Sequence, residues 1–227
     1  LAFAKVKAPQ RFGVPIFDPQ GILIDVVEKP ANPPNNLAQT GIYLYGPKVF
    51  FQAFSQIAKS PRGEYEISSV HSHFLKNKFK VSHKEITGWW KDTGKPEDLI
   101  FANQLLLEEM PAEKFTMEGK IEDGAVISGK VKVGVGTTIN KNVKITGPVL
   151  IGENCTLENC VVNPNTTVGA GSIIKKAELS DSIILNKCVI DCDLKISGTI
   201  LGSNVVIVKK GHNFHRVILG ENTLIEI

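Results

Sequence analysis

The chain has 227 residues, of which 42% are apolar and 22% charged, and its formal net charge is +3. This composition is ordinary for folded proteins and excludes wholesale disorder and collagen-like order. The near balance of charge gives no sign of nucleic-acid binding, and no apolar run reaches the roughly 18 residues of a membrane helix. We therefore expect one large domain or two modest ones, without nucleic acid or membrane among the partners.

The first part of the chain, at 1–110, alternates between strand and helix patterns, which indicates an α/β domain. In chain order, β-branched runs, turn residues and helical spacing predict strands at 1–7 and 22–27, a proline-rich loop at 28–36, a strand at 40–45, and helices at 47–57, 66–78 and 96–110. A linker is expected at 111–118. Because Leu1 opens directly in a strand pattern, we expect either a processed N-terminus or the later part of a longer protein.

Beyond the linker, at 119–227, apolar residues recur every six positions, a period that fits neither a helix nor an alternating strand. The positions are Ile121, Ile127, Val133, Ile139, Ile145, Ile151 and Leu157, then, after a slip of one, Val162, Val168 and Ile174, and later Ile184, Ile190 and Ile196. This period predicts a parallel β-helix of hexapeptide turns, with nearly five coils of three hexads each and a C-terminal tail.

Four cysteines lie in this repeat region, at Cys155, Cys160, Cys188 and Cys192. Their spacing differs from that of common zinc sites, and their surroundings are apolar. We expect buried thiols and hence a reduced, cytoplasmic protein, with a metal site or a disulfide as the alternative.

Three polar clusters in the first part are candidates for chemistry. Glu28 and Lys29 follow a strand, where side chains reach the ligand crevice of α/β proteins, and a carboxylate there can bind hydroxyls while a lysine neutralises phosphate. Arg62 offers a planar fork suited to phosphate, and Asp92 lies in a tight segment suited to a Mg²⁺ ligand. The alternatives are a surface ion pair for Glu28 and Lys29, a helix-entry salt bridge for Arg62 and a turn carboxylate for Asp92.

The histidines give a weaker signal. His71 and His73 lie two apart and point to different faces of a helix, and His212 and His215 follow the repeats. We treat all four as ordinary surface residues.

Several short motifs occur in a specific order along the chain. They are RFGV at 11–14, VEKP at 27–30, NLAQTGIY at 36–43, RGEYEI at 62–67, GWWKDTGKPEDL at 88–99 and AN at 102–103. Together they resemble the sugar-1-phosphate nucleotidyltransferases, above all the long-form glucose-1-phosphate thymidylyltransferases, which carry a C-terminal β-helix. The hexapeptide pattern likewise resembles the left-handed β-helix of sugar-nucleotide enzymes and acyltransferases. The resemblance implies a partial Rossmann-like nucleotidyltransferase domain followed by a left-handed β-helix.

The resemblance also implies roles for individual residues. Gly13 would approach the sugar, Glu28 would bind sugar hydroxyls, and Gly41 and Tyr43 would line the sugar pocket. Lys29 would bind the sugar phosphate, and Arg62 would contact a phosphate. Asp92 would be one of two carboxylates that hold Mg²⁺. The implied reaction is in-line attack of glucose-1-phosphate on the α-phosphorus of dTTP, which gives dTDP-glucose and pyrophosphate. Lys29, Arg62 and Mg²⁺ would supply positive charge for this step.

Two departures from the family pattern bear on this interpretation. Gln39 stands where the family usually has an aliphatic residue beside the sugar, which affects the choice of sugar. The glycine-rich nucleotide loop and the second metal carboxylate are absent from the 227 residues. We therefore expect the full-length protein to be the enzyme and this chain to be inactive alone.

Other functions stay open at this stage. The chain could be a non-catalytic module for oligomerisation or effector binding, since β-helices present flat, repetitive faces. It could also serve a UTP- or GTP-dependent nucleotidyltransferase, or a bifunctional enzyme with acetyltransferase activity along the β-helix. We expect a homo-oligomer in each case.

Overall fold

The computed structural model describes residues 1–209 and the backbone of residues 215–217. The chain divides into two compact units, Leu1–Asp92 and Thr93–Ile227. In the described part of the chain, no helix combines the length and the apolar character needed to cross a membrane.

The first unit contains two small sheets and two helices. Its elements are β1 (Ala2–Lys5), β2 (Gly13–Phe17), β3 (Leu23–Glu28), β4 (Leu37–Gln39), α1 (Val49–Phe54), α2 (Ile67–Lys76) and β5 (Lys84–Glu85), with a short 3₁₀ turn at Pro9–Arg11. β1 is the middle strand of a three-stranded sheet, antiparallel to β4 and parallel to β5. β2 and β3 form a separate antiparallel hairpin.

Apolar side chains of these elements form two small cores. Phe3 of β1 packs with Leu23 and Val26 of β3, and Val70 and Phe74 of α2 pack with α1. The apolar face of α2 has the spacing that the sequence predicts for a helix there. The predicted strands at 1–7 and 22–27 and the predicted helices near 49 and 67 are confirmed; β3 is shifted by one residue, and the other three elements are shorter than predicted.

The predicted strand at 40–45 is wrong, because β4 ends at Gln39 and the residues after it are irregular. Thr40 closes the pairing with β1 through its backbone N–H and its hydroxyl, which both donate to the carbonyl oxygen of Ala2. Beyond that point the apolar residues have no neighbouring strand within this unit, and Leu44 is 94% exposed. The alternation of side chains is present in the sequence, but a strand also needs a partner for its backbone groups.

The second unit begins with helix α3 (Pro96–Glu109), with Pro96 in its first turn and two acidic residues beside it, as predicted. Asn103 of α3 donates to the backbone oxygen of Asn165 at 2.9 Å and accepts from the Thr167 hydroxyl at 2.7 Å. These bonds attach α3 to the repeat region that follows. The division between compact units therefore falls after Asp92, whereas the domain boundary near 110 stays a prediction.

After a 3₁₀ turn at Ala112–Lys114, short strands follow one another in three directions. They are β6 (Lys120–Ile121), β7 (Val126–Ser128), β8 (Val131–Val133), β9 (Thr138–Ile139), β10 (Lys144–Thr146), β11 (Val149–Ile151), β12 (Thr156–Glu158), β13 (Val161–Val162), β14 (Thr166–Val168), β15 (Ile173–Lys175), β16 (Glu178–Ser180), β17 (Ile183–Ile184), β18 (Val189–Asp191), β19 (Lys195–Ser197), β20 (Ile200–Leu201), β21 (Val206–Lys209) and β22 (His215–Val217). Every third strand from β6 to β21 pairs in parallel, which builds three sheets around one axis. β22 pairs antiparallel with β21. The result is a parallel β-solenoid of about five turns, consistent with a left-handed β-helix of hexapeptide repeats.

The residues of the six-residue period point into the solenoid. The stacked inward residues are Ile121, Ile139, Leu157, Ile174, Ile190 and Ile207 in one sheet, Val133, Ile151, Val168, Ile184 and Leu201 in the second, and Ile127, Ile145, Val162, Leu179 and Ile196 in the third. All but those at the two ends are almost completely buried. The predicted hexapeptide solenoid is therefore confirmed.

The slip in the period has a local cause in the corners. Between Leu157 and Val162 the step between inward residues is five instead of six, yet Val162 still stacks on the coil before it. Three such shortened corners contain a non-glycine residue with positive φ, at Asn159 (48°), Lys176 (60°) and Asp181 (45°). The corner is one residue shorter and the strands keep their length, so the strand register is preserved.

The four cysteines are confirmed as buried free thiols. Burial raises the pKa of each of them, most clearly that of Cys160, to about 12. They fill interior space as small apolar residues do.

Glycines at one type of corner allow successive coils to stack closely. A Cβ on Gly152 would lie 2.7 Å from the backbone nitrogen of Ala170 and 3.0 Å from the carbonyl carbon of Gly169 in the next coil, whereas a Cβ on Gly202 would meet no atom of the described residues within 4 Å. Backbone atoms cannot rotate away from such a contact, so the clash must open the coils.

We therefore expect Gly152→Ala to destabilise the solenoid by about 1–3 kcal/mol, the usual cost of overpacking. Gly202→Ala makes the same chemical change without a contact and serves as the matched control, with an unfolding free energy equal to or slightly above that of the unmodified protein. Urea unfolding followed by far-UV circular dichroism measures both. Equal stability of the two variants would refute the close-stacking argument.

Candidate active site

The β2–β3 hairpin places Gly13 directly opposite Glu28. The Glu28 side chain is 22% exposed and accepts a hydrogen bond of 2.8 Å from the Ser68 hydroxyl on α2. A Cβ on Gly13 would lie 3.4 Å from Glu28 Oε2 and 3.4 Å from the Cβ of Gln39. The backbone of Gly13, the carboxylate of Glu28 and the side chain of Gln39 therefore converge on one small region.

Lys29 continues the chain from this point in a left-handed turn with φ of 43°. Its backbone N–H donates to the carbonyl oxygen of Phe12 at 2.9 Å, which extends the hairpin by one bond. Its ammonium lies 3.7 Å from Glu28 Oε1 and its side chain is 43% exposed. The loose ion pair leaves the ammonium accessible to an anion from solvent.

Arg62 is held at the start of α2 by acidic neighbours. Its Nη2 lies 2.7 Å from Glu66 Oε1 and 2.9 Å from Glu64 Oε2, and the Ser60 hydroxyl also donates to Glu66. The helix-entry salt bridge considered as an alternative is thus present. These contacts fix the position of the guanidinium, whose side chain remains 43% exposed.

The charges of this group influence one another. The hydrogen bond with Glu66 raises the pKa of Arg62, and the negative charge of Glu28 adds to this effect. Burial alone would raise the pKa of Glu66, but hydrogen bonds from Arg62 and Ser60, with the nearby charge of Lys29, lower it. Glu28, Lys29, Arg62 and Glu66 thus lie within electrostatic reach of one another.

A second group of polar side chains is connected through the amide of Gln39. His71 Nδ1 lies 2.7 Å from Gln39 Oε1, His71 Nε2 lies 2.6 Å from the hydroxyl of Tyr45, and Gln39 Nε2 donates to the hydroxyl of Tyr43 at 3.2 Å. The treatment of His71 as a surface residue is wrong, because its ring is completely buried. Of the other histidines, His73 is half-buried, whereas the side chains of His212 and His215 lie outside the described residues.

Burial dominates the ionisation of this second group. It lowers the pKa of His71 to about 4 and raises the pKa of Tyr45 to about 12. The pKa of Tyr43 is also raised, by burial first and then by the charge of Glu28, against a hydrogen bond from Gln39. All of these side chains are therefore neutral near pH 7.

The other two predicted site residues are not part of these contacts. Gly41 is exposed, and a Cβ built on it would meet no atom of the described residues within 4 Å apart from its chain neighbours. Asp92 is also exposed, and its segment is tied to the hairpin by Trp90, whose ring packs edge-on against Phe12 at 5.5 Å. The structure brings together Gly13, Glu28 and Lys29 and links Tyr43 to them through Gln39.

The Mg²⁺ site with Asp92 as one ligand stays a prediction. Among the described residues, no group of three or more His, Cys, Asp or Glu side chains could hold a metal ion. Asp92 offers one carboxylate, and because Mg²⁺ is commonly held by one or two carboxylates together with phosphate oxygens and water, Asp92 could supply one of its ligands. We derive no chemical step through a metal.

An open groove of about 420 Å³ runs between β3 and α2. Glu28 and Ser68 line one part of it, and Asp25 and Lys76, which lie 3.4 Å apart, line another. Glu28 is the one predicted sugar contact on its lining, so this groove differs from the predicted sugar pocket.

Sequence reasoning missed the residues whose hydrogen bonds hold Arg62, Glu28 and Gln39 in position. Glu66 lies inside the quoted RGEYEI motif and could have been proposed from it. Ser68 and His71 gave no signal, because only the packing of α2 against β3 and β4 brings them next to Glu28 and Gln39.

Comparison with known proteins identifies the first part of the chain. Residues 1–109 match the family model described as nucleotidyl transferase. Over its whole length the chain is 33% identical to glucose-1-phosphate thymidylyltransferase of Streptomyces antibioticus and covers 63% of that protein. The resemblance drawn from the motifs is therefore confirmed.

Two further relatives match most of the chain. It is 32% identical over its whole length to the low-salt glycan biosynthesis nucleotidyltransferase Agl11 of Haloferax volcanii, of which it covers 64%. Over 85% of its length it is 32% identical to the bifunctional protein GlmU of Methanocaldococcus jannaschii, of which it covers 51%. The chain thus spans less than two thirds of the length of each of these relatives.

Burial of His71 predicts a dependence of stability on pH. The unfolded chain binds a proton at this residue below about pH 6.5, whereas the folded protein does so only near its lowered pKa of about 4. Because the unfolded state then holds more protons, the His71 contribution to stability is present above this window and is lost as the pH falls through it.

As the pH falls from about 7.5 to about 5, we therefore expect the contribution of His71 to the unfolding free energy to decrease by about 2 kcal/mol. Urea unfolding followed by tryptophan fluorescence measures it, since both tryptophans lie in the same compact unit as His71. His71→Gln cannot titrate, so the stability gap between it and the unmodified protein should shrink by that amount. A gap that stays constant with pH would contradict the prediction.

Proposed function

We propose that the protein containing this chain transfers a nucleotidyl group to a sugar-1-phosphate, and that the reaction joins dTTP and glucose-1-phosphate to give dTDP-glucose and pyrophosphate. The observation that carries the proposal is the convergence of Gly13, Glu28 and Lys29 in a segment that matches the nucleotidyl transferase family. The identity to a glucose-1-phosphate thymidylyltransferase supports the choice of base and sugar.

The side chains of this chain would act mainly by binding and charge neutralisation. A sugar hydroxyl would donate to the Glu28 carboxylate, which Ser68 holds in place. The ammonium of Lys29 would face the sugar phosphate, and the guanidinium of Arg62, oriented by Glu66, would face a second phosphate oxygen. Charge neutralisation of this kind is the main requirement of phosphoryl-type transfer.

The bond changes need no covalent intermediate on the protein. An oxygen of the sugar phosphate, which is mostly ionised near pH 7, attacks the α-phosphorus of the nucleoside triphosphate. A new oxygen–phosphorus bond forms, the bond between the α-phosphorus and the bridging oxygen breaks, and pyrophosphate leaves with that electron pair. Lys29 and Arg62 would lower the repulsion between the two anions during the approach.

Further parts of the proposal rest on the family resemblance. Mg²⁺ would be held with Asp92 as one ligand, and when bound it would neutralise phosphate charge. The protein would be a cytoplasmic homo-oligomer. As an alternative, the repeat region would serve oligomerisation or effector binding without catalysis.

The activity test uses the complete gene product that contains this chain. It is incubated with glucose-1-phosphate and, in separate reactions, with dTTP, UTP, GTP, CTP or ATP, and released pyrophosphate and the sugar nucleotide are measured. We expect dTTP to give the highest kcat/KM. A preference for another nucleotide would overturn the choice of base, and no product with any of them would overturn the proposal.

Removal of the Lys29 charge tests its role at the same site. Because a hydrogen bond to a charged group contributes about 1.5–3 kcal/mol, Lys29→Met should lower kcat/KM for glucose-1-phosphate about 10- to 100-fold. Lys5→Met is the matched control, since Lys5 pairs with Glu85 on the surface, and it should leave kcat/KM within about twofold. Equal effects of the two variants would exclude a specific role for Lys29.

A further inference from the structure

Four side chains of the first unit form a continuous chain of hydrogen bonds that the proposed reaction does not use. The order is Tyr45, His71, Gln39 and Tyr43, with heavy-atom distances of 2.6, 2.7 and 3.2 Å. His71 is fully buried, and Gln39 is 7% exposed. Buried polar groups are costly unless each is paired, and here both ring nitrogens and both amide atoms have partners.

The hydrogen bonds fix the direction of every donor. The neutral ring of His71 carries one hydrogen, and Nδ1 must hold it because it faces the oxygen of Gln39. Nε2 then accepts from the hydroxyl of Tyr45. At the other end, the amide nitrogen of Gln39 donates to the oxygen of Tyr43, so the hydroxyl hydrogen of Tyr43 is left to donate elsewhere.

Gln39, which donates to Tyr43 at the free end of this series of hydrogen bonds, lies close to two of the predicted sugar contacts. Gln39 Cδ lies 3.5 Å from the position of a Cβ on Gly13, and Glu28 Oε2 lies 3.4 Å from the same position. The negative charge of Glu28 also acts on Tyr43, where it disfavours loss of the phenol proton. A hydroxyl donor and a carboxylate acceptor are thus held in the same small region.

We propose that Gln39 and His71 are positioning residues that hold Tyr43 as a hydrogen-bond donor beside the Glu28 acceptor, so that the pocket selects a sugar hydroxyl able both to accept and to donate. This inference rests on the proposed function, because it assigns the sugar to this pocket. It explains why a polar residue occupies position 39, where an aliphatic side chain would fill the same space without setting any direction.

The direction of these hydrogen bonds can be measured without an activity assay. In the complete gene product labelled with ¹⁵N-histidine, the signals of His71 are assigned by their loss in His71→Gln. We expect a protonated Nδ1 and an unprotonated Nε2 near pH 7. The opposite tautomer would require the Gln39 amide to be flipped, so that the Tyr43 hydroxyl donates to Gln39 and has no hydrogen left for the sugar, and it would overturn the inference.

A double-mutant cycle tests whether Gln39 acts through Tyr43. Tyr43→Phe and Gln39→Leu should each raise KM for glucose-1-phosphate about tenfold, with kcat changed less than about twofold, because the first removes the binding contact and the second removes the hydrogen bond that orients it. The double variant should match Tyr43→Phe alone, since Gln39 has nothing left to orient. Fully additive effects on KM would indicate a merely structural role and overturn the inference.

Two controls keep the test interpretable. Gln52→Leu makes the same side-chain change on the exposed surface of α1 and should leave KM unchanged. If Gln39→Leu does not fold, as judged by thermal unfolding, Tyr45→Phe replaces it, because it removes the donor that fixes His71 from the far end. An unchanged KM in Tyr45→Phe would then count against the inference.

Substrate analogues test the selected hydroxyl directly. The monodeoxy analogue of glucose-1-phosphate that lacks the selected hydroxyl should have a kcat/KM about tenfold or more below that of glucose-1-phosphate with the unmodified enzyme. For this analogue, Tyr43→Phe should lower kcat/KM no further, because the hydroxyl that Tyr43 contacts is already absent. If no analogue behaves in this way, the inference fails. Absence of nucleotidyl transfer by the unmodified protein would count against the proposed function. The tautomer of His71 would still decide the direction of the hydrogen bonds between Tyr45, His71, Gln39 and Tyr43.

Discussion

Parallel pairing between successive coils is the constraint on which the repeat region depends. Each short strand finds its backbone partners in the coil before and the coil after it, as Leu157 does between Ile139 and Ile174. One inward side chain per strand therefore has to fill the narrow interior, and it has to recur at the same place in every coil. The corners are free to lose a residue, as the five-residue step from Leu157 to Val162 shows, but the strands are not.

In the first unit, helix α2 plays a comparable organising part for the candidate site. The N-cap Glu66 contacts Arg62, and two residues of the helix make further contacts: Ser68 with Glu28, and His71 with Gln39. These contacts restrict the side chains that face the substrate region, which is the requirement for a site that works by positioning. Of the predicted site residues, α2 or its N-cap supports Glu28 and Arg62 directly and Tyr43 through Gln39.

Most elements could be predicted because their signals are local. Helical spacing of apolar residues located α2 and α3, and the six-residue period located the solenoid. The wrong strand at 40–45 and the lack of a predicted strand at β2 have one origin, since a strand depends on its partner as well as on its own residues. The segment at 40–45 alternates like a strand but has no partner in its unit, whereas β2 contains Pro15, a weak strand former, and is held by β3.

The sequence by itself determined the solenoid, the buried cysteines and the identity of the charged residues in the candidate site, because each of these follows from a repeat, a composition or a short motif. Only the tertiary structure decided that His71 is buried and joined to Gln39, and that Ser68 supports Glu28. Those pairs are separated by 32 and 40 positions in the chain, so no local pattern encodes them. They form because α2 packs against β3 and β4, and burial there requires each polar group to find a partner.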